Sequence, residues 1–216
     1  MTEEEWLRET NPHHLIWHLA IERAAGRRVL LLGIACCRVV ESLLVAPQTR
    51  TALNLLEAAH FPLDNKQRRA IQRQALRGYH WATRAGERYR EPATAVSMLA
   101  HLDGLNPFDN VTYYLRQTAA REGIAGEVDR CFCALTRDVF GNPFRPVTFS
   151  PAWRTSTATA LAQQMYESRD FGAMPILADA LQDAGCTSDD VLSHCRDAKQ
   201  THVRGCWVVD LVLGRA

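Results

Sequence analysis

The sequence predicts an all-α protein: a multi-helix bundle with a smaller C-terminal helical unit, joined by a proline-rich extended connector. Three observations carry this. Helix-start and helix-stop residues recur along the chain; the cations of one long segment fall in steps of three and four; and neither a hairpin turn nor a run of period-two alternation interrupts them. The 216 residues suffice for one large domain or two small ones, and 47% hydrophobic with 23% charged residues is an ordinary globular composition.

Taken in order, Thr2 and Glu5 have the spacing of a capping box. Asn11-Pro12 then caps a helix over HHLIWHLAIERAAG that should end near Gly26, with Leu15 and Trp17 setting its buried face. A third helix, Arg27 to Val45, is apolar on most sides and suits the centre of an N-terminal core. Pro47 ends it, and a fourth helix runs to His60 before the Phe61-Pro62 break. Asp64 opens a long polar helix, Pro92 starts the next, and Asp103-Gly104 with Asn106-Pro107 marks a turn. Helices over Asn110–Arg121 and Ala125–Phe140 follow.

The segment FGNPFRPVTFSPAW, Phe140 to Trp153, holds three prolines and cannot be a continuous helix. It sets the expected organisation: a bundle over 1–140, a connector over 141–154, and a C-terminal helical unit over 155–216. Thr155 caps a helix to Ser168, Pro175 and Gly185 bracket another, and Thr187 with Asp190 opens a third through Cys195. Val203 to Leu213 reads equally as helix or strand.

Seven cysteines is an odd number, and Cys36-Cys37 are adjacent, which is poor disulfide geometry. The start MTEEEWLRET is acidic where a signal peptide would be basic, and the apolar run Val29–Ala46 is broken by Arg38, Glu41 and Ser42. Reduced thiols in a cytoplasm, with no membrane partner, are the expectation.

The last forty residues hold the candidate chemistry. Zinc takes imidazole and thiolate ligands in tetrahedral geometry, and Cys186, His194, Cys195, His202 and Cys206 supply them. His202 and Cys206 are four apart and would share a helix face; of the adjacent His194 and Cys195, at most one can point the same way. The competing reading is core packing, since free cysteine behaves as a small buried hydrophobe; the expectation is therefore no bound cofactor, with zinc the one these residues could hold. His202 beside Cys206 could instead activate a thiol nucleophile, but CWVVDLVL is an apolar setting that raises a thiol's pKa. His14, His18 and Glu22 also share a spacing of four, and Glu57 with His60 forms an E-x-x-H unit; no second such unit exists, which excludes a di-iron bundle.

Net charge is +1, so electrostatic arguments must be local. Residues 64–91 carry eight Lys/Arg against three acids, and Arg69, Arg73, Arg77, Arg84 and Arg88 follow a helical stripe with Lys66 and His80. Tyr79, Trp81 and Tyr89 interleave them, a pattern of nucleic-acid surfaces. A solvated face paired with the acidic C-terminal third is the competing reading. There is no phosphate-binding glycine loop, G-x-S-x-G, H-E-x-x-H or dinucleotide fingerprint.

The stretches MTEEEW and LLGIACCR, RDVFGNPFRPV over 137–147, and PILADAL through HVRGCWVVDLVLGR resemble a large set of paralogous uncharacterised proteins from planctomycete-type bacteria. The resemblance implies a bacterial, cytoplasmic protein and carries no activity over. The expectation is a non-catalytic helical module that binds protein in an interaction or regulatory role. Nucleic-acid binding through the basic helix 66–90 is the alternative, and a zinc-stabilised domain the third reading.

Overall fold

A computed structural model describes residues 1–21, 26–59, 63–101 and 108–215. Among them the chain is all-α, with no strand. The expected helix end near Gly26, the Phe61-Pro62 break and the turn over 103–107 lie wholly or largely outside the described residues, as do Glu22 and His60.

The chain divides into two compact units, Arg8–Cys133 and Met1–Leu7 with Ala134–Ala216. The division falls ahead of the expected connector, and the first seven residues go with the C-terminal unit. The physical reason is local. Helix α1 (Glu3–Arg8) buries Trp6, and the Arg137 guanidinium donates to the Trp6 carbonyl at 2.6 and 3.1 Å. Asn142 donates to Glu3 at 2.8 Å, and Arg145 forms an ion pair with the same carboxylate. The Thr2/Glu5 capping box closes in both directions, at 2.7 and 3.2 Å.

In the unit Arg8–Cys133, α2 (Pro12–Ile21) begins at its proline, and Asn11 accepts from the His13 N–H. Leu15 is fully buried, but Trp17 is 68% exposed: the apolar face of α2 turns on Leu15, Ile16 and Leu19. α3 (Arg27–Val39) buries Leu30 to Cys37, then tightens into a 3₁₀ turn at Glu41–Leu43 instead of running to Val45. Arg38 meets Glu41 at 2.7 Å there. α4 (Pro47–Ala58) and α5 (Asn65–Ala85) pack together, and Asp64 and Gln67 form a capping box at the start of α5. Gly86, with φ +123°, ends α5 in a conformation that glycine adopts without a Cβ penalty. α6 (Glu87–Ala100) therefore starts five residues before Pro92, which lies inside it. α7 (Phe108–Arg121) packs on α3 and α6. α8 (Ala125–Phe140) contains the division between the units.

In the other unit, residues 141–150 are irregular and lead to a 3₁₀ turn at Pro151–Trp153. α9 (Ser156–Ser168) is capped by Thr155, which accepts from Ala158 N–H at 3.2 Å. α10 (Met174–Asp183) ends at Gly185, and α11 (Asp189–Arg196) is capped by Ser188, one residue beyond the predicted Thr187. α12 (Trp207–Val212) resolves the last segment as helix. Ala158, Ala162, Met165, Met174, Leu177, Leu181, Val191, Val208, Val209 and Val212 form its core. Ile176 on α10 is exposed.

Candidate metal centre

Four side chains converge in the second unit: Asp138, His194, His202 and Cys206, each offering one ligand atom, with all four atoms within 4.8 Å of one another. Asp138 comes from the last turn of α8, His194 from α11, His202 from the irregular segment after it, and Cys206 from the residue preceding α12. His202 and Cys206 do not share a helix. Gly205, at φ +97°, and the bond from Cys206 N–H to the Val203 carbonyl fold the chain back in a turn that brings the two together.

His202 Nδ1 lies 2.8 Å from Asp138 Oδ1, and His194 Nε2 lies 3.3 Å from the same oxygen. His194 Nε2 is 3.2 Å from Cys206 Sγ, and Cys206 Sγ is 3.8 Å from His202 Nδ1. Ligands about 2.0–2.3 Å from a tetrahedral zinc are separated by about 3.3–3.6 Å, so these four spacings bracket the edges of such a tetrahedron. The other carboxylate oxygen, Asp138 Oδ2, accepts from Val203 N–H at 2.9 Å, which fixes the carboxylate with Oδ1 facing the cluster.

The site is dry. Asp138 and Cys206 are fully buried, with Trp207 5.1 Å from His194 and Phe171 6.3 Å from His202, ring to ring. Burial pushes the Cys206 thiol well above its ordinary value, and the nearby Asp138 charge adds to it. Burial acts to raise the Asp138 carboxyl too, but hydrogen bonds from His194 and His202 outweigh it and hold the group below the usual carboxylate range. A thiol so placed is no exposed nucleophile; it becomes a thiolate only when something in the cluster compensates the charge. His202 Nε2 is buried with no hydrogen-bond partner among the described residues.

From the sequence-predicted ligand set the cluster takes His194, His202 and Cys206. Cys186 and Cys195 lie in the apolar core instead, because His194 rather than its neighbour points at the cluster, and burial lifts the Cys195 thiol to about 12. Asp138 was not in that set. The signal was present: an acid in the last turn of a helix sits at the wrong end of the dipole and needs a compensating partner.

The other constellations separate. His14 pairs with Glu9 at 2.6 Å, and Glu57 pairs with Arg38. Lys66, Arg69, Arg73, Arg77, His80 and Arg84 are all exposed on α5. Arg88 lies on α6 and is bound to Glu122 at 2.8 Å, which removes it from the stripe.

Fold and site together define an all-α protein with a buried Asp-His-His-Cys group of metal-ligand character. No protein-family model, no curated protein and no solved structure matches the chain. No helix among the described residues is long and apolar enough to cross a membrane.

Proposed function

We propose that this chain is a non-catalytic helical module whose second unit is built around a bound zinc ion held by Asp138, His194, His202 and Cys206. The observation that carries the reading is the convergence of four donors of three chemical kinds on one point. Hydrogen bonding alone is satisfied by pairs; here each atom faces the others within 4.8 Å. Nitrogen, sulfur and a single carboxylate oxygen suit zinc better than the hard, all-oxygen preferences of calcium or magnesium.

Four protein ligands in a buried setting describe a closed site. Catalytic zinc keeps a position for water, whereas structural zinc uses all four for protein. The ion would tie the end of α8, α11 and the start of α12 to a segment, 197–206, that has no regular structure of its own. Binding energy at such a site is folding energy. All four residues also lie within the stretches that carry the resemblance described above, which gives those stretches a physical role.

Cobalt substitution tests this. The Co(II) form should show the visible absorption of a tetrahedral ion and one thiolate-to-metal charge-transfer band. Cys206→Ser should lose the charge-transfer band, and Cys195→Ser should keep it. An octahedral, nearly colourless spectrum, or a band insensitive to Cys206→Ser, overturns the proposal.

A further inference from the structure

Helix α5 carries a face of a single charge sign, apart from the metal centre. Its 21 residues include Lys66, Arg68, Arg69, Arg73, Arg77 and Arg84 and not one acid. At about 100° per residue, Lys66, Arg69, Arg73, Arg77, His80 and Arg84 all fall within about 40° of Arg73. The buried residues Ile71, Ala75, Gly78 and Ala82 fall within about 40° of the opposite direction. Packing therefore fixes which face looks out, and that face is a cationic line about 27 Å long from Lys66 to Arg84.

An ordinary solvated helix mixes signs and pairs them at i, i+4. Here Lys66, Arg69, Arg73, Arg77 and Arg84 are exposed and make no ion pair among the described residues. Elsewhere in the same unit Arg38 pairs with Glu57, Arg88 with Glu122, Arg116 with Asp129 and Arg121 with Glu91. Four of the five unpaired cations are arginines, whose planar fork matches phosphate geometry. Trp81, 38% exposed and packed against Tyr89 at 6.0 Å, sits about 40° from Arg77 on the edge of the line and offers a ring to an unstacked base.

We infer that the outer face of α5 binds the phosphodiester backbone of single-stranded nucleic acid, without base-specific readout. α5 packs against both α4 and α6, which holds its cationic face in place.

The test uses the full chain and a mixed-sequence single-stranded oligonucleotide of about 15 nucleotides, followed by fluorescence anisotropy over a salt series starting near 20 mM. Wild type should bind, with log K falling against log salt at about 0.7 per phosphate engaged. Arg73→Gln with Arg77→Gln should weaken binding at least tenfold at low salt and flatten the slope by about 1.4, for two lost phosphate contacts. Both positions are exposed, and an unchanged thermal midpoint checks that the variant is folded. Arg130→Gln, an exposed arginine on α8, should leave binding as in wild type. No binding near 20 mM salt, an unaffected double variant, or an equal loss in Arg130→Gln overturns the inference. So does polyglutamate binding as tightly as the oligonucleotide, which would make the face a dock for acidic protein.

Discussion

Asp138→Asn is the most informative single perturbation, because the carboxylate is fully buried and accepts from three donors: His202 at 2.8 Å, His194 at 3.3 Å and Val203 N–H at 2.9 Å. An asparagine keeps the shape but offers one acceptor oxygen. Its amide must then face either Val203 N–H or the two imidazoles. One donor is left facing a donor, and the charge that strengthened the remaining bonds is gone. Losing a charge-assisted bond and stranding a buried donor costs about 3 kcal/mol. For a chain of this size that lowers the thermal midpoint by about 6–12 °C.

The metal adds a second readout. Free zinc at about one hundred times its dissociation constant should stabilise wild type by about 2.7 kcal/mol, or about 5–10 °C, and give Asp138→Asn little or nothing. Differential scanning calorimetry of both proteins, stripped and zinc-loaded, reads all four values. A variant melting within about 1 °C of wild type, or stabilised equally by zinc, refutes the reasoning.

Three further outcomes follow from the packing. Gly78→Ala places a Cβ 2.3 Å from Thr49 Oγ1 and 2.8 Å from its backbone nitrogen, so α5 must back away from α4 at a cost of about 1–3 kcal/mol in a urea melt. Gly126→Ala, which meets nothing nearer than an arginine end at 3.8 Å, should be neutral or slightly stabilising; equal losses from the two would contradict the α4–α5 contact. Burial lifts the Cys37 thiol to about 12, so about one molecule in ten thousand is thiolate at pH 8; a thiol reagent should label the part-exposed Cys131 in the native protein and reach Cys37 only on unfolding.

The fold class was legible because local signals and packing agreed. The capping boxes at Thr2 and Asp64, the prolines at 12, 47 and 175, and the glycine at 185 stand where the helices begin and end. What misled was context. Pro92 reads as a helix start, yet Gly86 had already broken the chain, and a helix starting at Glu87 holds the proline in its interior. Trp17 reads as core but is exposed, since hydrophobicity alone does not say which face of a short helix is covered.

The centre was half legible. His194, His202 and Cys206 stand within thirteen residues and advertise metal chemistry. Their expected geometry, a shared helix face, failed at Gly205, whose positive φ turns the chain. Asp138 lies 56 residues before His194, and only the fold brings it there. Cys186 and Cys195 have ligand chemistry, but they lie in the apolar core, where a free thiol packs as a small hydrophobe.

Zinc content tests the central claim most directly: elemental analysis of the protein purified without chelator, then reconstituted with zinc and freed of excess. The account predicts one equivalent per chain in wild type and in a Cys186→Ser, Cys195→Ser double variant, and loss of that equivalent in Cys206→Ser. Wild type holding no zinc after reconstitution, or holding it equally without Cys206, would contradict it.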